Sequence, residues 1–236
     1  MKKKLLYVYV AGVSLVLPVK MKAQRADLYK VANIERYEAA NKEVPAKVKK
    51  EKRVVFMGNS ITEGWARVHP DWFKENNYFG RGISGQTSPQ MLLRFYADVI
   101  ALEPDVVVIN AGTNDIAENS GAYHPSFTLN NIKAMTELAK ANGIKVILTS
   151  VLPHDHFHWN KNIVDVTLKV DELNQAIKAY ADNNKIPYVD YNTEMRDEKG
   201  AMKEGLSKDG VHPYPDTYLI MEALVKPVID KQLKKK

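Results

Sequence analysis

Residues 105–115 read Asp-Val-Val-Val-Ile-Asn-Ala-Gly-Thr-Asn-Asp. The apolar run in Asp105–Ala111 has the pattern of a strand buried on both faces, and it stops at a polar turn, Gly112-Thr113-Asn114-Asp115. The same succession of strand and turn recurs on either side. Arg53–Met57 runs into Gly58-Asn59-Ser60-Ile61, and Tyr78–Ser84 runs into Gly85. Lys145–Val151 precedes His154, and Ile186–Tyr191 precedes Asp209-Gly210-Val211-His212.

Helical patterns separate these strands. Leu129, Ile132, Met135 and Leu138 lead to an Asn142-Gly143 stop. Val166, Val170, Leu173, Ile177 and Tyr180 form one stripe. Tyr218–Leu233 closes the chain as a helix that Pro227 is expected to kink or split. Strands alternating with helices predict an α/β fold, with five parallel strands, right-handed crossovers and helices on both faces. In such a sheet ligands bind beyond the carboxyl ends of the strands. Ser60, Gly85, Asn114, His154, Asp209 and His212 all fall on that edge, a sorting that unrelated polar residues would not show.

Three of the turns hold complementary chemistry. A serine hydroxyl is a weak nucleophile and needs a base, a task that histidine suits near neutral pH. The histidine needs a carboxylate to orient it and to stabilise its charged form. Asp209 and His212 stand three residues apart, so one local element can present both to Ser60. The oxyanion formed on attack needs preorganised donors, which the backbone N–H groups of Ser60 and Gly85 and the side-chain amide of Asn114 can supply. Each residue also has a plainer reading. Ser60 fits an N-cap, with Glu63 completing a capping box; Asn114 and Asp209-Gly210 fit ordinary turns.

Together these blocks resemble those of the SGNH/GDSL hydrolases, whose four letters fall on Ser60, Gly85, Asn114 and His212. The resemblance runs from about Arg53 to Ile229 with the blocks in family order. It implies a flavodoxin-like three-layer α/β/α sandwich, catalysis without metal or cofactor, and hydrolysis of esters or thioesters. The nearest flavour is that of bacterial acylhydrolases similar to platelet-activating-factor acetylhydrolase, several of which act on acetylated sugars. Two positions depart from the pattern: Asn59 stands where Asp is usual and Ile61 where Leu is usual. Gly82 competes with Gly85 for the oxyanion role, and Gly85 is preferred because Ser84-Gly85-Gln86-Thr87 fits the family's Ser-Gly-x-Thr. A lipid or thioester acylhydrolase and a catalytically idle glycan-binding module are the alternative readings.

Other features compete for attention. Gly80-Arg81-Gly82-Ile83-Ser84-Gly85 matches the dinucleotide fingerprint, but its glycines fall within a strand instead of opening a helix. His154, His156 and His158 alternate in one loop and are open to three readings: metal ligands, a substrate-contacting wall shared with Trp159, or an exposed loop without a role. Trp65, Trp72 and Trp159 suit core or rim packing, with sugar stacking as the functional option.

The chain's 236 residues suit one domain with a sizeable core. The formal charge of +6 falls to +1 once Lys2, Lys3, Lys4, Lys20 and Lys22 are set aside, which removes the case for a nucleic-acid partner. Residues 1–23 read as a secretory signal: basic Lys2–Lys4, an apolar run Leu5–Val19, and Ala23 before a cut at Gln24, although Met21 matches the cleavage rule poorly. Secretion or a periplasmic location follows, with no stable membrane insertion after cleavage. With no cysteine anywhere, disulfides and thiolate chemistry are excluded. Residues 24–52 read as an N-terminal arm in which Leu28, Val31, Ile34 and Tyr37 mark an amphipathic helix and Pro45 a connector, leaving 53–236 as the hydrolase domain. The expected partner is a small-molecule or glycan ester.

Overall fold

In the computed structural model, residues 27–48 and 50–234 are described. The segment expected to be a signal, 1–23, lies outside them. Five parallel strands form one sheet: β1 (Val54–Gly58), β2 (Tyr78–Gly82), β3 (Val106–Ile109), β4 (Lys145–Thr149) and β5 (Tyr188–Val189). Their spatial order is β2-β1-β3-β4-β5, the flavodoxin-like arrangement. The chain therefore changes winding direction between β1 and β3, and the strand ends at that switch point are where such sheets bind ligands.

Alternation along the strands divides the core in two. Val55, Met57, Val107, Ile109, Val146 and Leu148 face α5 (Ser88–Asp98), α7 (Pro125–Ala141) and α8 (Val166–Asn183). Val54, Phe56, Val106, Val108, Ile147 and Val189 face α3 (Ser60–Val68), α4 (Pro70–Glu75) and α10 (Tyr218–Lys234). The short helices α6 (Thr113–Ile116) and α9 (Asn192–Met195) follow β3 and β5. Each fully buried aliphatic or aromatic side chain contributes roughly 1.5–3 kcal/mol, so both layers are needed to close the sheet.

Local chemistry accounts for the boundaries. Thr87 and Gln90 form a capping box at the start of α5, and Pro125 opens α7 where a missing N–H costs nothing. Helix α7 ends at Asn142, followed by Gly143 at φ +73°. Three details differ from the sequence expectation. The last strand is only Tyr188–Val189; Pro187 just before it has no N–H to give a neighbouring strand. Helix α10 runs through Pro227 without splitting, held by buried Met221, Val225 and Ile229. The arm forms two helices, α1 (Leu28–Ala32) and α2 (Glu35–Lys42), because Asn33 adopts a left-handed φ of 51° between them, and Leu28 and Val31 stay exposed.

The glycines of the dinucleotide-like run also find their reason. A Cβ on Gly82 would lie 2.2 Å from the Glu63 nitrogen and 2.5 Å from the Asn59 carbonyl oxygen. One on Gly80 would lie 2.5 Å from the Ala66 Cβ. These residues let β2 pack against α3, which carries Ser60; Gly82 itself is buried at the end of β2.

Candidate active site

Ser60 is the first residue of α3, at the end of β1. Gly58 makes the tight turn possible, since a Cβ there would meet the Thr62 Oγ1 at 2.1 Å. Asn59 is the N-cap: its Oδ1 accepts the Ile61 N–H at 3.0 Å. Ser60 is therefore not the cap, and Glu63 does not close a capping box; its carboxylate instead accepts the Ser84 N–H at 2.9 Å and pairs with Arg36. Freed from capping, the Ser60 hydroxyl meets the Nε2 of His212 at 2.9 Å.

The His212 ring is held from its other side by Asp209, whose Oδ2 lies 2.8 Å from Nδ1. Both residues sit in one turn that passes through Gly210 at φ +77°. The second oxygen of Asp209 accepts the backbone N–H groups of Val211 at 3.0 Å and His212 at 2.8 Å. Burial pushes the Asp209 carboxyl up, but those N–H groups and the imidazole outweigh it and hold the group well below the usual carboxylate range. Ser207 clips the turn shut by donating to the His212 carbonyl at 2.8 Å.

Gly85 follows β2 in an exposed turn at φ +77°, a conformation that glycine adopts without strain. Asn114 lies buried in α6. Its Nδ2 donates to the Gln86 carbonyl at 2.9 Å, leaving one amide hydrogen uncommitted, and its Oδ1 accepts Asn119 Nδ2 at 3.1 Å. Helix α6 is pinned by Asp115, which accepts the Ser88 N–H at 2.9 Å and the Thr128 hydroxyl at 3.1 Å. Burial raises the Asp115 pKa against the pull of these donors. The Ser60 N–H, as the first of a helix, has no intrahelical partner.

The histidine loop divides into separate roles. His154, expected to contact substrate, is fully buried. Its Nδ1 lies 3.3 Å from the Gly210 carbonyl and its Nε2 3.3 Å from the Thr113 hydroxyl, so it joins the Asp209–His212 turn to α6. Burial drives its pKa down to about 4. His156 is exposed, pairs with Asp155 at 2.6 Å and rests against Gly210. His158 packs edge-on to Trp159 with its Nδ1 3.8 Å from the Asp209 carboxylate. Among the described residues no group of three or more His, Cys, Asp or Glu is placed to hold a metal.

Trp159, 40% exposed, has its ring centre 6.2 Å from that of His212. Its indole N–H donates to Asn119 Oδ1 at 2.9 Å, and Asn119 donates in turn to the Gly85 carbonyl at 3.2 Å. Asn119 thus ties the aromatic wall to the Gly85 turn and to Asn114. Sequence reading missed Asn119 and Ser207, because ordinary loop composition gives no hint of their partners, and it gave no sign that His158 lies near Asp209. Trp65 and Trp72 stack on each other in the α3–α4 core.

The model of the GDSL-like lipase/acylhydrolase family matches residues 56–220. The structure of a GDSL-like lipase from Bacteroides thetaiotaomicron VPI-5482 is 59% identical and superposes with a TM-score of 0.84, covering 85% of this chain and 98% of that one. A structure from Bacteroides fragilis NCTC 9343 is 56% identical, with a TM-score of 0.85 over 86% of this chain and 98% of that one. An acetylxylan esterase of Xylanibacter ruminicola is 25% identical over an alignment of 211 positions that covers 73% of this chain and 42% of that protein. The chain thus spans under half the length of that curated relative.

Proposed function

The chain belongs to the GDSL-like lipase/acylhydrolase family and is a hydrolase of ester bonds, and we propose that it is a Ser-His-Asp esterase that removes short acyl groups, above all acetyl, from carbohydrates. The observation that carries the catalytic part is the continuous relay from Ser60 Oγ through His212 to Asp209, with links of 2.9 and 2.8 Å.

In this reading, His212 Nε2 takes the Ser60 proton as Oγ attacks the ester carbonyl carbon. Asp209 keeps the proton on Nδ1 and stabilises the imidazolium that forms. The carbonyl oxygen becomes an oxyanion and receives the Ser60 N–H, the Gly85 N–H and the uncommitted Asn114 amide hydrogen, each such donor being worth about 3–4 kcal/mol of barrier. His212 then protonates the departing alcohol, leaving the acyl group on Ser60. Water, deprotonated by His212, attacks this ester, and collapse releases the acid and returns the proton to Ser60.

The carbohydrate part rests on two supports. The exposed indole face of Trp159 beside His212 offers the kind of surface on which a sugar ring stacks, and one relative is an acetylxylan esterase. A lipid acylhydrolase is the second reading, favoured by the lipase designation of the Bacteroides thetaiotaomicron relative. We further propose that residues 1–23 are a cleaved export signal, so that the enzyme acts in the periplasm or medium on small ester substrates. Among the described residues no helix is long and apolar enough to cross a membrane.

Hydrolysis of p-nitrophenyl acetate, butyrate and octanoate, followed by release of acetate from acetylated xylo-oligosaccharides, tests the proposal. Turnover that falls with chain length and includes the oligosaccharides is the expected result. Preference for octanoate transfers the assignment to lipids.

A further inference from the structure

The three donors assigned to the oxyanion stand on three chain segments, Ser60 after β1, Gly85 after β2 and Asn114 after β3. Transition-state stabilisation needs such donors held to within a fraction of an ångström, by groups that are themselves locked in place. A fully buried arginine ties the first two segments together and reaches the third through Gln86. Arg94, on α5, donates from Nη2 to the Gly58 carbonyl at 3.0 Å, two residues before Ser60. From Nη1 it donates to the Arg81 carbonyl at 2.9 Å, at the end of β2. Its Nε donates to the side-chain oxygen of Gln86.

Gln86 is the junction. It follows Gly85 directly, and its own backbone carbonyl accepts the Asn114 amide at 2.9 Å. Its side chain is buried, with the oxygen on Arg94 and the amide donating to the Ala32 carbonyl of α1 at 2.8 Å. The N-terminal helices close the device elsewhere too. Tyr37 donates to the Gly82 carbonyl, and Asn41 donates to Asp98 at 2.7 Å while accepting from Arg81 at 2.8 Å. Asp98 neutralises Arg94 across 2.8 Å. A guanidinium has a rigid fork of donors, which suits it to fixing several carbonyls at once. Desolvating a charge is expensive unless it is paired and hydrogen-bonded; here Asp98 supplies the pairing, and the other three bonds reach segments that carry or border a proposed donor. Residues 27–48 lie outside the segment matched by the family model, 56–220, so nothing in the family match gives them a role.

We infer that Gln86 and Arg94 are positioning residues for the oxyanion donors and that helices α1 and α2 buttress them from outside; this rests on the assignment of Ser60, Gly85 and Asn114 proposed above. The network touches no substrate. It acts by keeping the Gly85 turn at its distance from Ser60 and Asn114.

Gln86→Met removes the junction while keeping its volume. With p-nitrophenyl acetate the expected outcome is a kcat lower by about 10- to 100-fold and a KM changed by less than about 2-fold, because only transition-state contacts are misplaced. Gln86→Glu keeps the acceptor for Arg94 and loses the donor to Ala32, and is expected to fall between Gln86→Met and the parent in kcat. Tyr37→Phe deletes one hydroxyl of the arm and is expected to lower kcat about 3-fold at constant KM; it serves if Gln86→Met does not fold. Parental kcat in folded Gln86→Glu and Tyr37→Phe overturns the inference, as does a loss confined to KM. Ser60→Ala in the same assay separates the two failures. Undiminished activity there removes the nucleophile assignment itself, whereas inactive Ser60→Ala beside unimpaired Gln86 and Tyr37 variants removes only the positioning role.

Discussion

The side-chain oxygen of Asn59 accepts the N–H of Ile61 at 3.0 Å, and this contact releases the Ser60 hydroxyl from capping α3. The departure from the usual family residue at this position thus preserves the cap, since Asn and Asp cap helices about equally well. Its Nδ2 is buried without a partner.

Asn59→Ala is expected to cost about 1–2 kcal/mol in urea unfolding, the scale of a lost N-cap. It should also lower kcat, because the α3 start that presents Ser60 loosens. A stability equal to the parent's would show that the cap contributes nothing.

Asp209→Asn leaves an acceptor for the Val211 and His212 backbone N–H groups but gives the imidazole the wrong partner. In serine triads this change lowers kcat by about 10⁴, and a loss of that order, with KM little altered, is expected here. Stability supplies a second reading. The folded Asp209 carboxyl titrates below its ordinary value, so its contribution is present above the unfolded pKa and is lost as pH falls through the folded one. The stability difference between parent and Asp209→Asn should accordingly shrink in acid, as followed by urea titrations at a series of pH values.

Buried His154 adds a second acid sensitivity of the same sign, set by burial instead of by hydrogen bonds. Its pKa falls from 6.5 to about 4 on folding, so between those values the unfolded chain binds a proton that the folded chain refuses. Stability should therefore decline as pH drops from 6.5 towards 4. His154→Gln, which can still join Thr113 to the Gly210 carbonyl, should flatten that part of the profile. An unchanged slope in the variant would mean that other groups set it.

Trp159→Ala is expected to raise KM for acetylated xylo-oligosaccharides by roughly 10-fold, in keeping with about 1 kcal/mol or more for a lost ring-stacking surface. The effect on p-nitrophenyl acetate should be smaller. Equal effects on both substrates would place Trp159 in support of His212 instead of on the sugar.

The sheet and the polar turns were legible from sequence because their signals are local. An apolar run such as Val106–Ile109 declares a buried strand, and Asp209 and His212 fall within one turn. The rest depends on contacts between distant residues. His154 looked like part of an accessible wall from its neighbours, yet its place is set by Thr113 and Gly210, 41 and 56 residues away. Gln86 drew no attention because its partner Ala32 offers only a backbone carbonyl. Burial of Arg94 is equally invisible in a helix whose sequence reads as ordinary.

The most direct test is covalent. A p-nitrophenyl phosphonate should transfer one phosphonyl group per chain, mapped by peptide mass spectrometry to Ser60, with loss of esterase activity in step with labelling. Ser60→Ala should take up no label and hydrolyse no ester. Label on another residue, or full hydrolysis by Ser60→Ala, would contradict the account.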